Sequence, residues 1–478
     1  MNTLRSKYQY IWQNAENLLI ILFLATFTLN VHKVFLTPYS FLNGTFNEYM
    51  TPNFNWADLI MFAVIIVYAI KFLLRQFKKS LSKSKNNILD NSIYYKSMIG
   101  QCFHIVSRET IVLVLFLFWI GLSLFWSQYK SLALFRFATF LEISLFFVIA
   151  IKHLKNKRWF ELALIALIIN GLFQSILGIA QFIHNKSLGL HWLGESIIGP
   201  NIDGVAKIII SGEKHIRAYG TFPHPNILAG LLIIPIFIIL TGFLNKFSLE
   251  EAQNKEVSRG TFFGTIPTWI TSFLLFTMLL GFFLTFSRSA FLGLIIGLFL
   301  LSIWHRNTIL KKLRSFLILL MLLTLFTSEY FIFSNKFSLP IFSTQSLEER
   351  NLYKNVARET ISKNSFAGVG IGQFIFEEFQ KHPSWEGWQY QPVHNVYLLI
   401  FSELGIIGLV LFLLLIAIIF ERWSRDELSP KLDLTVVAFC CILSSFLFIS
   451  LFDHYFWDIK IGMAVFMLPI LFLKIKKL

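Results

Sequence analysis

The residues of this chain best placed to do chemistry are arginines and histidines at the ends of apolar runs. Ser-Arg-Ser-Ala at 287–290 joins two such runs with no room for a loop, so Arg288 sits at or near a bilayer interface. There it either snorkels to lipid headgroups or holds an anion. Phosphate suits it best, because its oxygens match the planar fork with two parallel hydrogen bonds. Arg217 opens Arg-Ala-Tyr-Gly-Thr-Phe-Pro-His-Pro-Asn at 217–226, just before another apolar run. Pro225 suits a first helical turn, whose unpaired amides favour an anion beside Arg217. His224 and Asn226 fit either that site or simple capping. His394 begins His-Asn-Val-Tyr-Leu-Leu at 394–399, at the mouth of a long apolar run. An imidazole titrating near neutrality is a natural general base for a hydroxyl nucleophile, although a capping role fits the position too.

Other ionisable groups fall inside or beside the apolar runs. Glu403 lies nine residues after His394, about 13 Å deeper and roughly half a turn round a helix, so it cannot orient that histidine directly. Arg136 and Glu142 share one run, where ionisable groups face a bundle interior or a water-filled cavity. Glu142 fits pairing between helices. Arg136, near one end of the run, is a candidate for the anion site. Asp453 and His454, in Asp-His-Tyr-Phe at 453–456, are placed to orient His394, to contact a sugar, or only to build a turn.

The elements that must position these groups follow from composition. The 478 residues are 55% hydrophobic and 14% charged, which no soluble domain of this length sustains. Runs such as 269–286 and 396–420 reach the roughly 20 residues a helix needs to cross the hydrocarbon. The expected fold is all-α: a polytopic transmembrane helical bundle in a single integral membrane domain, 1–478, with both termini cytoplasmic. About 12 spans are expected, near 14–36, 58–74, 110–127, 131–151, 159–183, 225–244, 269–286, 290–304, 315–333, 395–419, 433–452 and 456–474. The first run carries no cleavage signal and reads as a retained anchor.

Basic clusters at 75–85, 152–158 and 311–314 put those loops on the cytoplasmic side. The opposite side then receives 37–57 and two long segments, 184–224 and 334–394. The latter is expected to be a large ordered extracytoplasmic loop, because it holds the amphipathic stretches Leu347–Ile361 and Phe374–Phe379 and a Gly-Val-Gly-Ile-Gly turn at 368–372. The net charge of +15 is dealt out in these clusters and points to the anionic lipid of the bilayer, not to nucleic acid. Cys102, Cys440 and Cys441 form no disulfide framework. There is no nucleotide-binding glycine fingerprint, no Asp-X-Asp pair in an outer segment and no His-Glu-X-X-His site, so neither a metal nor another cofactor is expected. A twelve-span secondary transporter is the rival from another class, but it should gather ionisable groups at the midplane and show related halves.

Taken in order, Arg217–Asn226, Ser287–Leu294, the pattern around Arg350 and Gly368–Phe374, His394–Gly408 with its His-Asn pair, Glu403 and Gly405, and Asp453–Phe456 resemble the O-antigen ligase and polymerase superfamily of bacterial envelope glycosyltransferases. The resemblance runs from mid-chain to near the C-terminus; the first 150 residues match only in hydropathy. It implies transfer of a glycan from a polyprenyl-diphosphate carrier to an acceptor hydroxyl, without nucleotide or metal, at the outer face of the bacterial inner membrane. Arg217 and Arg288 match the diphosphate-binding arginines and His394 the catalytic histidine. Arg136, Arg350, His224, Asn395, Asp453 and His454 are then candidates for substrate contacts. Members of the family differ in acceptor, which is lipid A core for ligases, another repeat unit for polymerases and a protein hydroxyl for protein transferases.

Overall fold

The computed structural model describes residues 2–84, 107–251, 266–304, 344–426 and 434–475. The chain is mostly helical: α1 (Asn2–Gln13), α2 (Ala15–Thr26), α3 (Trp56–Ser84), α4 (Arg108–Ser123), α5 (Lys130–His153), α6 (Lys157–His184), α7 (Pro225–Glu251), α8 (Thr268–Phe283), α9 (Arg288–Trp304), α10 (Thr344–Lys363), α11 (Phe374–Lys381), α12 (Val396–Asp426), α13 (Leu434–Ile449), α14 (Tyr455–Asp458) and α15 (Lys460–Ile475). Short antiparallel pairs fill the connections: β1 (His32–Val34) with β4 (Asn53–Asn55), β2 (Phe41–Leu42) with β3 (Thr45–Phe46), and β5 (Lys207–Ile210) with β6 (Glu213–Ile216).

Among the described residues, five helical stretches are long and apolar enough to cross a bilayer: Trp56–Ser80, Lys130–His153, Lys157–His184, Pro225–Leu244 and Val396–Glu421. α2, α8, α9 and α13 are apolar but shorter. The expected first span, 14–36, is not one helix. α2 ends at Thr26, and β1 then pairs with β4 in the register His32↔Asn55, which draws Val34 and its neighbours out of any helix. The expected span at 315–333, the start of the large loop and Cys102 lie outside the described residues.

Pro225–Leu244 is the central helix, with 94% of its apolar window buried, and α6, α8 and α13 pack around it. Gly293 and Gly297 let α9 approach α13 closely; a Cβ on Gly297 would stand 2.5 Å from Ser445 Oγ. Small residues four apart are how helices meet where lipid supplies no hydrophobic drive. Buried cations in this body are paired: Lys71 with Glu16, and Lys460 with Asp58 at 2.6 Å. Glu142 departs from the expected pairing between helices. It makes no ion pair among the described residues, and its Oε1 is buried without a hydrogen-bond partner.

α12 is broken within its length. Gly405 takes φ +66° and ψ −170°, which frees carbonyls of the preceding turn. The Gly-Val-Gly-Ile-Gly stretch repairs the gap: Val369 N–H donates to Ser402 O at 3.0 Å, Gly370 N–H to Glu403 O at 2.8 Å, and Trp119 Nε1 to Leu404 O at 2.9 Å. On the other side of the break Ile406 N–H donates to Ser365 O at 2.9 Å. Irregular backbone at bilayer depth is tolerated only where protein re-satisfies it in this way.

Candidate functional site

Two buried glutamines of α6 build the ledge that presents Arg217. Gln174 Oε1 accepts from Thr221 N–H at 2.9 Å, and Gln181 both accepts from Gly220 N–H at 2.8 Å and donates to Gly220 O at 2.9 Å. The β5–β6 hairpin ends at Ile216 and fixes the other side. Arg217 is thereby held with Nε donating to Thr285 O at 2.5 Å and Nη2 to Asn226 Oδ1 at 2.7 Å.

Asn226, in the first turn of α7, carries the network onward. Its Nδ2 donates to both carboxylate oxygens of Asp453 at 3.2 Å, and Ser289 Oγ donates to Asp453 Oδ2 at 2.6 Å. Ser289 follows Arg288 at the start of α9, so this chain of hydrogen bonds ties together the segments that carry Arg217, Arg288 and Asp453. His224 caps the same turn, its Nδ1 accepting from Asn226 N–H at 3.2 Å. Burial and the nearby Arg217 hold the His224 imidazole well below its ordinary pKa.

α10 adds Arg350 and, three residues on, Tyr353, on one helix face. The Tyr353 ring lies parallel to that of His394, at 6.0 Å and 7°. Arg217, Arg288 and Arg350 sense one another's charge. Burial, opposed by Tyr219 and Asp453 and reinforced by the other two arginines, pulls the Arg217 pKa down to about 10, which still leaves it cationic at neutral pH.

His394 sits just before α12, against His454. Their rings meet edge to face with centroids 4.8 Å apart, and His394 Nδ1 is buried without a hydrogen-bond partner. Burial, then the charges of His454 and Arg350, hold His394 well below the ordinary histidine pKa, so it is neutral at neutral pH. His454 goes the other way. Burial is the largest influence and lowers its pKa, but Asp458, which meets its Nδ1 at 2.9 Å, together with Asp453 and Glu48 turns the balance upward. The two adjacent imidazoles are therefore driven apart: a neutral one that can take a proton and a neighbour that favours its charged form.

The residues singled out from sequence thus divide. Arg217, Arg288, Arg350, His224, His394, Asp453 and His454 come together. Arg136 does not join them: Nη1 donates to Asp458 O and Nη2 to Tyr49 O, on the far side of His454. Asn395 is a helix cap, its Oδ1 accepting from Leu398 N–H at 2.9 Å and its Nδ2 donating to Leu451 O at 3.1 Å. Asp453 serves Asn226 and Ser289, not His394. Tyr353, Asp458 and the two glutamines escaped the sequence reading; only the i,i+4 spacing of His454 and Asp458 offered a signal.

A family model described as O-antigen ligase matches residues 273–413, a stretch that includes Arg288, Arg350, His394 and the break at Gly405. The match supports membership of the O-antigen ligase superfamily over that stretch, and with the apolar helices it points to a multi-pass membrane protein. No curated protein matches the chain.

Proposed function

We propose that the protein transfers a glycan from a polyprenyl-diphosphate carrier to an acceptor hydroxyl at the outer face of the bacterial inner membrane. The observation that carries this reading is a cluster of three arginines from three separate segments, one of which, Arg350, also reaches the neutral buried His394. The acceptor O–H attacks the anomeric carbon and its proton passes to His394. The bond from that carbon to the carrier oxygen breaks, and its electron pair leaves with the diphosphate. Guanidinium groups aimed at the leaving diphosphate stabilise the charge that develops there. Attack from the face opposite the leaving group inverts the anomeric centre.

In this reading the arginines hold the charge that a divalent ion would otherwise hold, and no metal takes part. Both termini face the cytoplasm. A cysteine at Trp388 is then labelled from outside intact cells and one at Lys155 is not; the reverse pattern overturns the orientation. The decisive experiment gives purified protein a lipid-linked glycan and an acceptor in chelator. Transfer should persist in the wild type and fall sharply in Arg288→Lys, which keeps the charge but loses the fork. Loss in chelator with recovery in magnesium or manganese, or full activity of Arg288→Lys, overturns the mechanism. The acceptor hydroxyl belongs to lipid A core, a further repeat unit or a protein, three alternatives that an acceptor panel separates.

A further inference from the structure

Walled by Tyr49 and Asp458, two residues that touch His454, lies a cleft of about 840 Å³, counting its open mouth. Glu48, Tyr49, Asn53, Asn55, Arg136 and Asp458 line it. Its polar groups are poised for a ligand. Asn55 is 6% exposed, and its Oδ1, the Oδ1 of Asn53 and the Nε of Arg136 are all buried without hydrogen-bond partners. Groups buried in this way are costly unless something satisfies them.

The cations here are already engaged. Lys460 is held by Asp58 at 2.6 Å and by Asn53 O at 3.1 Å, and the Nη groups of Arg136 are held by backbone carbonyls. What remains is a set of amide and carboxylate acceptors with one guanidinium N–H, which suits hydroxyl groups better than an anion. Phe46 also lines the cleft and is 41% exposed, offering an aromatic surface beside these acceptors. A few fixed polar groups next to aromatic surface are the common make-up of a small-ligand site.

The cleft shares a wall with the reaction centre. Asp458 lines it and holds His454 Nδ1 at 2.9 Å; Tyr49 meets the His454 ring edge to face at 5.6 Å; and His454 meets His394 at 4.8 Å. We infer that this cleft binds a neutral saccharide unit of the acceptor, next to the unit whose hydroxyl reaches His394. The acceptor role rests on the function proposed above, whereas saccharide binding does not.

The test applies purified full-length protein in lipid nanodiscs to an array of neutral and acidic oligosaccharides. The wild type and His394→Ala should retain neutral glycans. Asn55→Leu and Glu48→Gln should each lose about tenfold in retention, the size of one hydrogen bond to a charged or buried partner. Asn55 is buried, so a thermal melt checks its fold; Glu48 is exposed and keeps the test valid if Asn55→Leu unfolds. Retention of acidic glycans alone, retention unchanged in both variants, or no retention by the wild type overturns the inference. In a transfer assay Glu48→Gln should raise KM for the acceptor by far more than it changes kcat, to which Glu48 contributes only through the charge of His454. If His394→Ala transfers normally while the cleft variants lose array binding, the proposed reaction fails and the cleft stands.

Discussion

Buried positive charge is treated in opposite ways in two regions of this protein. In the helical body, Lys71 touches Glu16 and Lys460 touches Asp58, with all four side chains almost wholly buried. Beside His394, Arg217 and Arg350 make no ion pair among the described residues. Asp453, whose charge reaches Arg217, gives its oxygens to the neutral donors Asn226 and Ser289 instead. A cation in direct contact with its carboxylate is finished business for the fold. Cations held near one another, with the carboxylate at one remove, leave a positive field for a ligand to complete.

That contrast can be broken by mutation. The largest effect belongs to the base: His394→Ala should lower transfer by about 10²–10⁴-fold while leaving donor binding nearly intact, because the proton moves only in the transition state. Equilibrium binding of a lipid-linked glycan, measured beside turnover, checks this, and wild-type turnover in the variant removes His394 from the chemistry. Lys460→Met strands the buried carboxylate of Asp58 and should cost about 3–5 kcal/mol of stability. Thermal unfolding in detergent reads that cost, and Lys460→Met with Asp58→Leu should recover most of it.

Arg350→Ala should do the reverse, with unfolding close to wild type and transfer down by about 10²–10³-fold. A large stability loss in Arg350→Ala, or none in Lys460→Met, would erase the distinction between the two regions. Gly405→Ala should destabilise by at least about 1–3 kcal/mol, since its backbone lies where side chains are strained and a Cβ would stand 2.1 Å from Phe366 O.

The smallest effect is in the pH profile. Burial lowers the His394 pKa, so the neutral base persists as pH falls, and the rate should stay level through about pH 6.5, declining only in more acid solution. Asp458→Asn removes the chief support for charge on His454, and with it a positive neighbour of His394. The inflection should then move up toward the ordinary histidine range. A wild-type inflection already there would contradict the buried, neutral base.

Hydropathy made the helices legible because burial in lipid imposes a length and a composition on each run, which sequence displays directly. It misplaced the end of α2, where strand pairing at His32–Val34 competes with a continuing apolar pattern. The arginines and His394 stood out because charge at the edge of an apolar run is expensive. Their sorting could not be read, since it depends on contacts far apart in the chain. Arg136 stood as a candidate to join Arg217 in the anion site, but Tyr49 O and Asp458 O occupy it. The clasp of the first loop on the large one was equally hidden: Asn47 Nδ2 donates to Gly387 O and Tyr390 O, both at 2.9 Å, across more than half the chain.

A ribosome delivers Ser365 through Gly370 before it delivers Ser402 through Ile406, so the strip of backbone that satisfies α12 exists before α12 does. The helix enters lipid beside a partner already made, and its broken turn has no need to bare its carbonyls to hydrocarbon. The same order sets the unit of exchange between relatives. A chimera that swaps α12 alone separates the broken turn from the glycines fitted to it, whereas residues 365–426 moved as one piece carry the lock and the key together.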